Sequence, residues 1–287
     1  MAKSTFGQNI LFTDFGESHG VAVGGVLDGF PSRFVIDTAA IQHDLDRRAG
    51  RIGDLVVSER AKGEKDEVEW LSGVVKGEQL ITLGTPIAFI IRNTNTRSED
   101  YETLKDVYRE GHADRVYEFK YGIRDYRGGG RASARETVAR VVAGSLAKQL
   151  LAKDNIVVEA QLVQVGDETA PSRFKELLEQ VQNEGGSVGG EVECHIKGLP
   201  AGVGEPIFDK LSARLAYAIL SINGCRSFEF SSGIVGGISD GNEIVFRCRF
   251  KPTATTAKQY GGRHDVCIAV RAVPVVEAMT AMVIVDN

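Results

Sequence analysis

Cysteine is scarce in this sequence, and its spacing excludes two kinds of site. The 287 residues include four cysteines, and no two of them form a C-x-x-C pair. A zinc knuckle or a disulfide framework is therefore not expected. We interpret the four as buried or unreactive thiols in a reducing compartment. They are Cys194, Cys225, Cys248 and Cys267.

Long apolar runs and an excess of positive charge are also lacking. No apolar run reaches the roughly 18 residues of a membrane-spanning helix, and no hydrophobic region follows Lys3 as in a secretory signal. The formal net charge is -5 and the sequence pI is about 5.7. Non-specific binding to nucleic acid or to a membrane through net charge is thereby excluded. The composition predicts a soluble cytoplasmic protein.

Glycine, in contrast, is abundant, with 33 residues in a chain that is 43% hydrophobic. So many glycines favour tight turns and close backbone approaches over a helical bundle. A heptapeptide pattern, Val23 to Gly29, recurs at Val235 to Gly241 and fits a body built from two similar halves. Hydrophobic periodicity predicts helices over 38–48, 104–108, 172–182, 208–222 and 275–285, and strands over 8–12, 21–27, 87–91, 156–165, 191–196 and 244–250.

The stretch from Gly111 to Thr137 reverses the charge of the chain locally and predicts an anion site, most simply for phosphate. Its three glycines, 128 to 130, would bring the backbone close to a ligand. Ser133 and Glu136 have the S-x-x-E spacing of a capping box, which predicts that a helix begins near Ser133. The alternative is a glycine hinge before a helix whose arginines lie in water. The stretch is neither a P-loop nor a dinucleotide fingerprint.

Three polar groups of residues stand out: Ser18-His19, His112 with the glycines and arginines, and Arg263-His264-Asp265. If the fold gathers them, arginines would bind a phosphate and histidines would exchange protons near neutral pH. Such a site suits the breaking of a carbon–oxygen bond to phosphate, because arginines stabilise the departing dianion.

Two other functions stay open on the residues alone. A Ser-His-Asp hydrolase lacks its G-x-S-x-G elbow here, and the adjacent Ser18 and His19 are expected to be poorly placed to hydrogen-bond each other. A phosphate- or RNA-binding module is disfavoured by the acidic pI and by the lack of a basic stripe with stacking aromatics.

A series of unusual motifs runs in order from residue 15 to residue 279. They are FGESHG (15–20), GHAD (111–114), KYGIRDYRGGGRASARET (120–137), GVGEPIFDKL (202–211), GGIS (236–239), KPTAT (251–255), GRHD (262–265) and RAVPVVEAM (271–279). On these motifs the sequence resembles the chorismate synthase family from Thr5 to the C-terminus.

The resemblance implies an α+β fold, a single-domain β-α-β sandwich over residues 1–287 with an internal pseudo-two-fold repeat, assembled as a homotetramer. It implies a carbon–oxygen lyase of the shikimate pathway to aromatic compounds. The reaction would be anti-1,4 elimination of phosphate and the C6 proR hydrogen from 5-enolpyruvylshikimate 3-phosphate to give chorismate. Reduced FMN would be required, and whether NADPH reduces the flavin on this chain stays open.

Residue roles also follow from the resemblance. His19, with Ser18 beside it, would act near the flavin, His112 would protonate the departing phosphate, and Asp265 with Ser133 would handle the proton at flavin N5. Arg48 and Arg135 would bind substrate phosphate, and Arg48 also matches an NADP position. The flavin-contacting positions are Arg131, Ala132, Ser133, Asn223, Gly224, Gly236, Lys251, Pro252, Thr253, Ala254, Thr255 and Arg263.

The sequence departs from the family in its loops. Ala132 replaces a serine of the usual RSSAR motif, and Arg115 replaces a common aromatic residue. The chain is shorter near 50–60 and 167–173, between Glu229 and the glycines at 233–237, and between Gln259 and Gly262, and it lacks a C-terminal extension. Every core motif is intact, and only loops are shortened. We therefore interpret the sequence as a series of ordered segments joined to one another, from which mobile loops that would cover the flavin site have been omitted. A chain break at Gln259-Tyr260 would support this interpretation.

Overall fold

The computed structural model describes residues 3–57, 63, 65–94, 98–254 and 265–287. Thr255, Arg263 and the Gln259-Tyr260 bond lie outside these residues. Within them the helices are α1 (Thr38–Ala49), α2 (Asp114–Tyr121), α3 (Thr137–Ala152), α4 (Phe174–Asn183), α5 (Leu211–Leu220) and α6 (Ala269–Val285). None of these helices is long and apolar enough to span a membrane.

Fourteen strands alternate with the helices in this described part of the chain. They are β1 (Thr5–Phe6), β2 (Leu11–Phe15), β3 (Ala22–Asp28), β4 (Val35–Ile36), β5 (Glu69–Ser72), β6 (Val74–Lys76), β7 (Leu80–Thr82), β8 (Ile87–Arg92), β9 (Val157–Val165), β10 (Gly190–Lys197), β11 (Cys225–Ser232), β12 (Ile234–Val235), β13 (Ile238–Ser239) and β14 (Ile244–Phe250).

Two antiparallel sheets enclose a layer of helices. The first sheet has the strand order β1-β2-β3-β8-β5, and the second has the order β11-β14-β10-β9. Helix α3 packs on β3 and β8 of the first sheet, α6 packs on β9 and β10 of the second, and the two helices pack on each other. The apolar faces of both sheets and both helices meet in one continuous buried core. This arrangement is the predicted α+β sandwich.

The strand order shows an internal repeat. The order β2-β3-β8-β5 in the first sheet corresponds to β9-β10-β14-β11 in the second, and α1 and α3 correspond to α5 and α6. Matching turns contain Gly29 (φ 82°) and Gly198 (φ 77°), where a Cβ would lie 2.3 Å from Asn9 O and 2.4 Å from Asn155 O. Only glycine fits such a position, so the two halves use the same turn chemistry.

The heptapeptide echo does not mark equivalent positions in this repeat. Val23 to Gly29 forms strand β3 and its turn, whereas Val235 to Gly241 forms the tight hairpin of β12 and β13. The repeat lies in strand order and turn geometry, which a short sequence match does not capture.

Several predicted helix bounds differ from the structure. Helix α3 begins at Thr137 rather than near Ser133, because Ser133 caps a separate 3-10 turn (Ala134–Glu136), where Arg135 N donates to Ser133 Oγ at 3.3 Å. Helix α6 begins at Ala269, well before the predicted 275, with Pro274 inside it. The predicted helix over 104–108 is absent from this described segment, which instead follows a 3-10 helix (Ser98–Leu104).

Candidate functional site

A cleft of about 1760 Å³ opens where the loops before α3 and α6 face each other. One wall comes from residues 109–136, a second from residues 220–226, and a third from residues 251–254, Asp265, Ile268 and Arg271. The cleft therefore draws on both halves of the repeat. It brings together most of the sequence-predicted residues: Arg48, His112, Arg131, Ala132, Ser133, Arg135, Asn223, Gly224, Lys251, Pro252, Thr253, Ala254 and Asp265.

The glycine triplet passes directly against three side chains, two of which are the predicted catalytic histidines. A Cβ on Gly128 would lie 2.2 Å from His19 Nδ1, and a Cβ on Gly129 would lie 2.9 Å from His112 Nε2. A Cβ on Gly130 would lie 2.6 Å from Glu17 Oε2. All three glycines have positive φ, at 61°, 86° and 53°. The absence of side chains thus allows the loop to contact both imidazoles.

His112 is oriented by a buried carboxylate. Its Nδ1 lies 2.9 Å from Asp114 Oδ1, close enough for an ion pair but poorly aligned for a hydrogen bond. Arg109 grips Asp114 through two side-chain hydrogen bonds of 2.8 Å. Burial acts to raise the pKa of Asp114, but the hydrogen bonds from Arg109 and the close approach of the His112 imidazole outweigh it and hold that pKa far below its usual range. Asp114 is thus a fixed negative charge beside Nδ1, and Nε2 is left for the cleft.

His19 lies behind Gly128 rather than on the cleft surface and is 7% exposed. Its Nδ1 is 3.3 Å from Ser18 Oγ, so the expectation that these adjacent residues are poorly placed to hydrogen-bond each other is wrong. The backbone turn at Ser18 folds the two side chains toward each other, and the edge of the Tyr101 ring packs on the imidazole at 5.0 Å between centroids.

Arg48 and Arg135 reach the cleft wall, but protein groups hold their guanidinium groups. Both pair with Asp66, which is fully buried. Arg48 also donates to Thr137 Oγ1 at 3.1 Å, and Arg135 donates to Asn93 Oδ1 at 2.9 Å. Burial acts to raise the pKa of Asp66, and the two arginines outweigh it and lower that pKa. No sequence motif predicts Asp66 as this partner.

Two other cations face the cleft with fewer protein partners. Lys251 Nζ donates to Gly111 O at 2.6 Å, and its pKa is lowered by burial and then by the charge of Arg226. Arg226 is exposed on the cleft wall, and within the described residues no carboxylate pairs with it. Sequence reasoning missed Arg226, although it follows the Asn223-Gly224 turn by two positions.

Asn223 connects two walls of the cleft. Its Nδ2 donates to Ala132 O at 3.1 Å and lies within 3.5 Å of the carbonyl oxygens of Arg131 and Ser133. On the third wall, Thr253 Oγ1 donates to Asp265 O at 2.9 Å. The side chains of these two predicted residues therefore also hold the walls in place.

Arg271 fixes the carboxylate of Asp265, and Gly236 is the predicted residue that lies outside the cleft. Asp265 Oδ2 is 2.6 Å from Arg271 Nη1. Gly236 lies in the β12–β13 hairpin and does not line the cleft.

Comparison with known proteins gives the family. The family profile for chorismate synthase matches residues 10–235 and 230–287 of this chain. The chain belongs to the chorismate synthase family.

Relatives match the chain over its whole length. The chorismate synthase of Christiangramia forsetii is 42% identical, with 100% of this chain and 97% of the relative covered. That of Bacteroides thetaiotaomicron is 41% identical, with 99% and 97% covered. A crystal structure of chorismate synthase superposes with a TM-score of 0.77 at 26% identity, covering 98% of this chain and 92% of the other.

The alignment also shows how much shorter this chain is. It runs over 350 positions against the Christiangramia chorismate synthase, while the chain has 287 residues, which leaves 63 positions without a counterpart here. Because 97% of the relative is covered, most of this difference lies within the aligned span.

Proposed function

We propose that this chain catalyses the chorismate synthase reaction, anti-1,4 elimination of phosphate from 5-enolpyruvylshikimate 3-phosphate. As a carbon–oxygen lyase it would serve the shikimate pathway. The observation that carries the proposal is the pair of imidazoles, His19 and His112, held against one glycine triplet in a basic cleft of a family member. That arrangement provides proton exchange and anion binding within one site.

The cleft residues fit reduced FMN. The volume of the cleft is large enough for a flavin together with a small substrate. The space beside the backbone of Gly224 is open, because an added Cβ would meet only the Ile268 side chain, at 3.6 Å. When bound, reduced FMN supplies electron density as the carbon–oxygen bond breaks and takes up the hydrogen from C6. The residues that would hold it are Arg131, Ala132, Ser133, Asn223, Gly224, Lys251, Pro252, Thr253 and Ala254.

His112 is proposed as the acid for the departing phosphate. Asp114 at Nδ1 orients the imidazole, so that Nε2 is the ring nitrogen that would transfer a proton to the phosphate. Arg226 and Lys251 would stabilise the developing dianion. His19, behind Gly128, would act near the flavin. Asp265, held by Arg271, would handle the proton at flavin N5, with Ser133 assisting.

NADPH is proposed as a reductant of the flavin. Arg48 matches the family position for this nucleotide, and because its side chain is 2% exposed it would act from within the cleft wall.

We also propose that the protein is cytoplasmic and that it forms a homotetramer. The homotetramer is proposed because several large apolar side chains lie on the surface of the isolated chain. Phe119 and Phe208 are each 93% exposed and Ile123 is 75% exposed. Sedimentation velocity tests the assembly, and a single monomeric species at micromolar concentration would contradict it.

An anaerobic assay tests the activity. Purified protein is mixed with 5-enolpyruvylshikimate 3-phosphate and photoreduced FMN, and chorismate and phosphate are measured. A second assay uses oxidised FMN with NADPH and decides whether the chain reduces its own flavin. Stoichiometric release of chorismate and phosphate is expected in the first assay. No product with reduced FMN would overturn the proposal.

A further inference from the structure

Two carboxyl groups meet beneath the cleft, where a pair of arginines joins them. Asp14, on β2, is 7% exposed, and Glu136, just before α3, is 3% exposed. One guanidinium group, that of Arg140, lies within 4 Å of both carboxyl groups. Arg131 Nη2 pairs with Asp14 Oδ1, and Arg140 Nε lies 3.0 Å from Glu136 Oε2 and 3.8 Å from Asp14 Oδ2. The proposed mechanism uses neither carboxyl group.

The hydrogen bonds of Glu136 are incomplete unless a proton is present. Its Oε1 is buried, and no N–H or O–H group of the described residues donates to it. Ionised carboxylates only accept hydrogen bonds, so Asp14 and Glu136 can hydrogen-bond each other only if one of them carries a proton. Two buried carboxyl groups in contact favour such sharing, because both cannot ionise without repulsion.

The local charges agree with this geometry. Burial raises the pKa of Glu136 to about 7, Arg140 opposes the increase, and contact with Asp14 adds to it. Arg131, which follows the glycine triplet, acts to lower the pKa of Glu136. Tyr117, on α2, is the further titratable side chain that faces the pair, and burial raises its own pKa.

The pair connects to both walls of the cleft. Arg131, which Asp14 holds, belongs to the proposed flavin wall. Arg140 Nη1 donates to Ser221 Oγ at 2.8 Å, two residues before Asn223 on the opposite wall. With one shared proton, the two carboxyls and two arginines carry a net charge of +1. Loss of that proton to solvent makes the cluster neutral.

We propose that Asp14 and Glu136 share one proton, which keeps a net positive charge at Arg131 and sets the pH range in which the cleft binds a phosphate-bearing ligand. The inference rests on the proposed function for its ligand, since Arg131 belongs to the proposed FMN site. Asp14 and Glu136 are positioning residues: they act through Arg131 and Arg140.

Binding of FMN across pH 6 to 8 tests the proposal by quenching of flavin fluorescence. As pH rises, the affinity of the wild-type chain for FMN is expected to fall relative to that of Glu136→Gln. The expected change in this ratio is about fivefold, because one positive charge near the ligand is lost. Titration of the FMN phosphate near pH 6 affects both proteins equally, so the ratio of their Kd values reports the cluster. Glu193→Gln removes a charge on the second sheet and should keep the wild-type profile.

Infrared difference spectra of the free protein provide a test without FMN. The carbonyl stretch of a protonated carboxyl should disappear between pH 6 and 8 in the wild type and be absent from Glu136→Gln. In Asp14→Asn, where Glu136 is still buried, the band should disappear at a lower pH than in the wild type. An unchanged band in both variants, or parallel Kd profiles, would overturn the shared proton. If the wild type binds no FMN at any pH, the proposed function fails and the infrared band alone decides this inference.

Discussion

Three consecutive glycines have three separate roles at the residue scale. Each gives up the space of a side chain to a different neighbour: His19, His112 and Glu17. A sequence pattern of this kind is usually explained by the approach of a ligand to the backbone. In this chain the same property also permits two imidazoles to contact one short loop, so a single alanine there would displace a proposed proton donor.

Replacement of the proposed acid should separate chemistry from folding. In His112→Ala, the departing phosphate loses its proton donor, and kcat is expected to fall by at least about 100-fold. The side chain is 16% exposed and lies against Asp114, so some loss of stability is also expected, and kcat is compared well below the melting temperature of the variant. His43→Ala, at an exposed position of α1, is the control. Wild-type turnover in His112→Ala would remove its proposed role.

Glu136 should also impose a pH dependence on stability. Its folded pKa of about 7 exceeds the ordinary value of 4.5. Between these two pH values, the folded chain therefore retains a proton that the unfolded chain releases. The free energy of unfolding should therefore fall as pH rises from about 4.5 to about 7, by up to roughly 3 kcal/mol. Urea unfolding at pH 5 and pH 8 should show a smaller difference in Glu136→Gln than in the wild type. The exposed Glu179→Gln should behave as wild type.

At the scale of elements, the crossing of α3 and α6 fixes the distance between the two halves. Gly144 of α3 lies against Ala278 of α6, and a Cβ on Gly144 would lie 2.2 Å from Ala278 Cβ. Both positions are buried. The helices thus approach through their backbones, and the loops before them face the cleft from a common base.

An alanine at this crossing should force the helices apart. Gly144→Ala is expected to lower the free energy of unfolding by about 1–3 kcal/mol, since overpacking outweighs the higher helix propensity of alanine. Chemical denaturation measures the difference. Gly77→Ala is the control, because its Cβ would meet a single atom at 3.9 Å. Equal or higher stability of Gly144→Ala would show that the crossing tolerates the extra methyl group.

Periodicity predicted the elements that bury a regular apolar face. Helix α1 begins within the predicted range, since Asp37 caps it and Ile41 and Leu45 face the core. Helix α2 was missed because it buries only Asp114 and exposes Val116 and Phe119, which leaves no apolar stripe to recognise.

The site was predictable where its residues lie close together in sequence. The motifs located His112, its glycines and the neighbouring arginines. The partners of those residues depend on contacts across the fold. Asp66 joins Arg48 and Arg135, and Asp14 meets Glu136 and Arg131, over separations that no local pattern encodes.

At the scale of the whole molecule, one carboxylate joins distant parts of the chain. Asp286, just after α6, accepts hydrogen bonds from the backbone N–H groups of Gln8, Asn9 and Ile10 at 2.7 to 2.9 Å. It also pairs with Arg214 of α5, and its side chain is fully buried. The strand that enters the first sheet is thus anchored to the helices of the second half.

Removal of this charge should weaken the whole fold. Asp286→Asn leaves Arg214 with only the more distant and half-exposed Asp209, at 3.6 Å, and turns an amide donor toward backbone N–H groups. We therefore expect a loss of about 3–5 kcal/mol in the free energy of unfolding. Differential scanning calorimetry would record the lower melting temperature. Asp28→Asn, at an exposed turn, should change it little. A similar melting temperature for both variants would mean that the Asp286 contacts add little.

The matching strand orders have a consequence for ancestry. A chain with this repeat is what the fusion of two copies of a half-length protein would produce, and such a protein would pair across an axis near Gly144 and Ala278. A symmetric dimer of that kind would contain two identical clefts, and both copies would line each cleft. In the fused chain the loop before α3 contributes His112 and the glycines, while the loop before α6 contributes Lys251 and Asp265. In such a fusion the two copies of the loop are free to differ in sequence, as these two loops do.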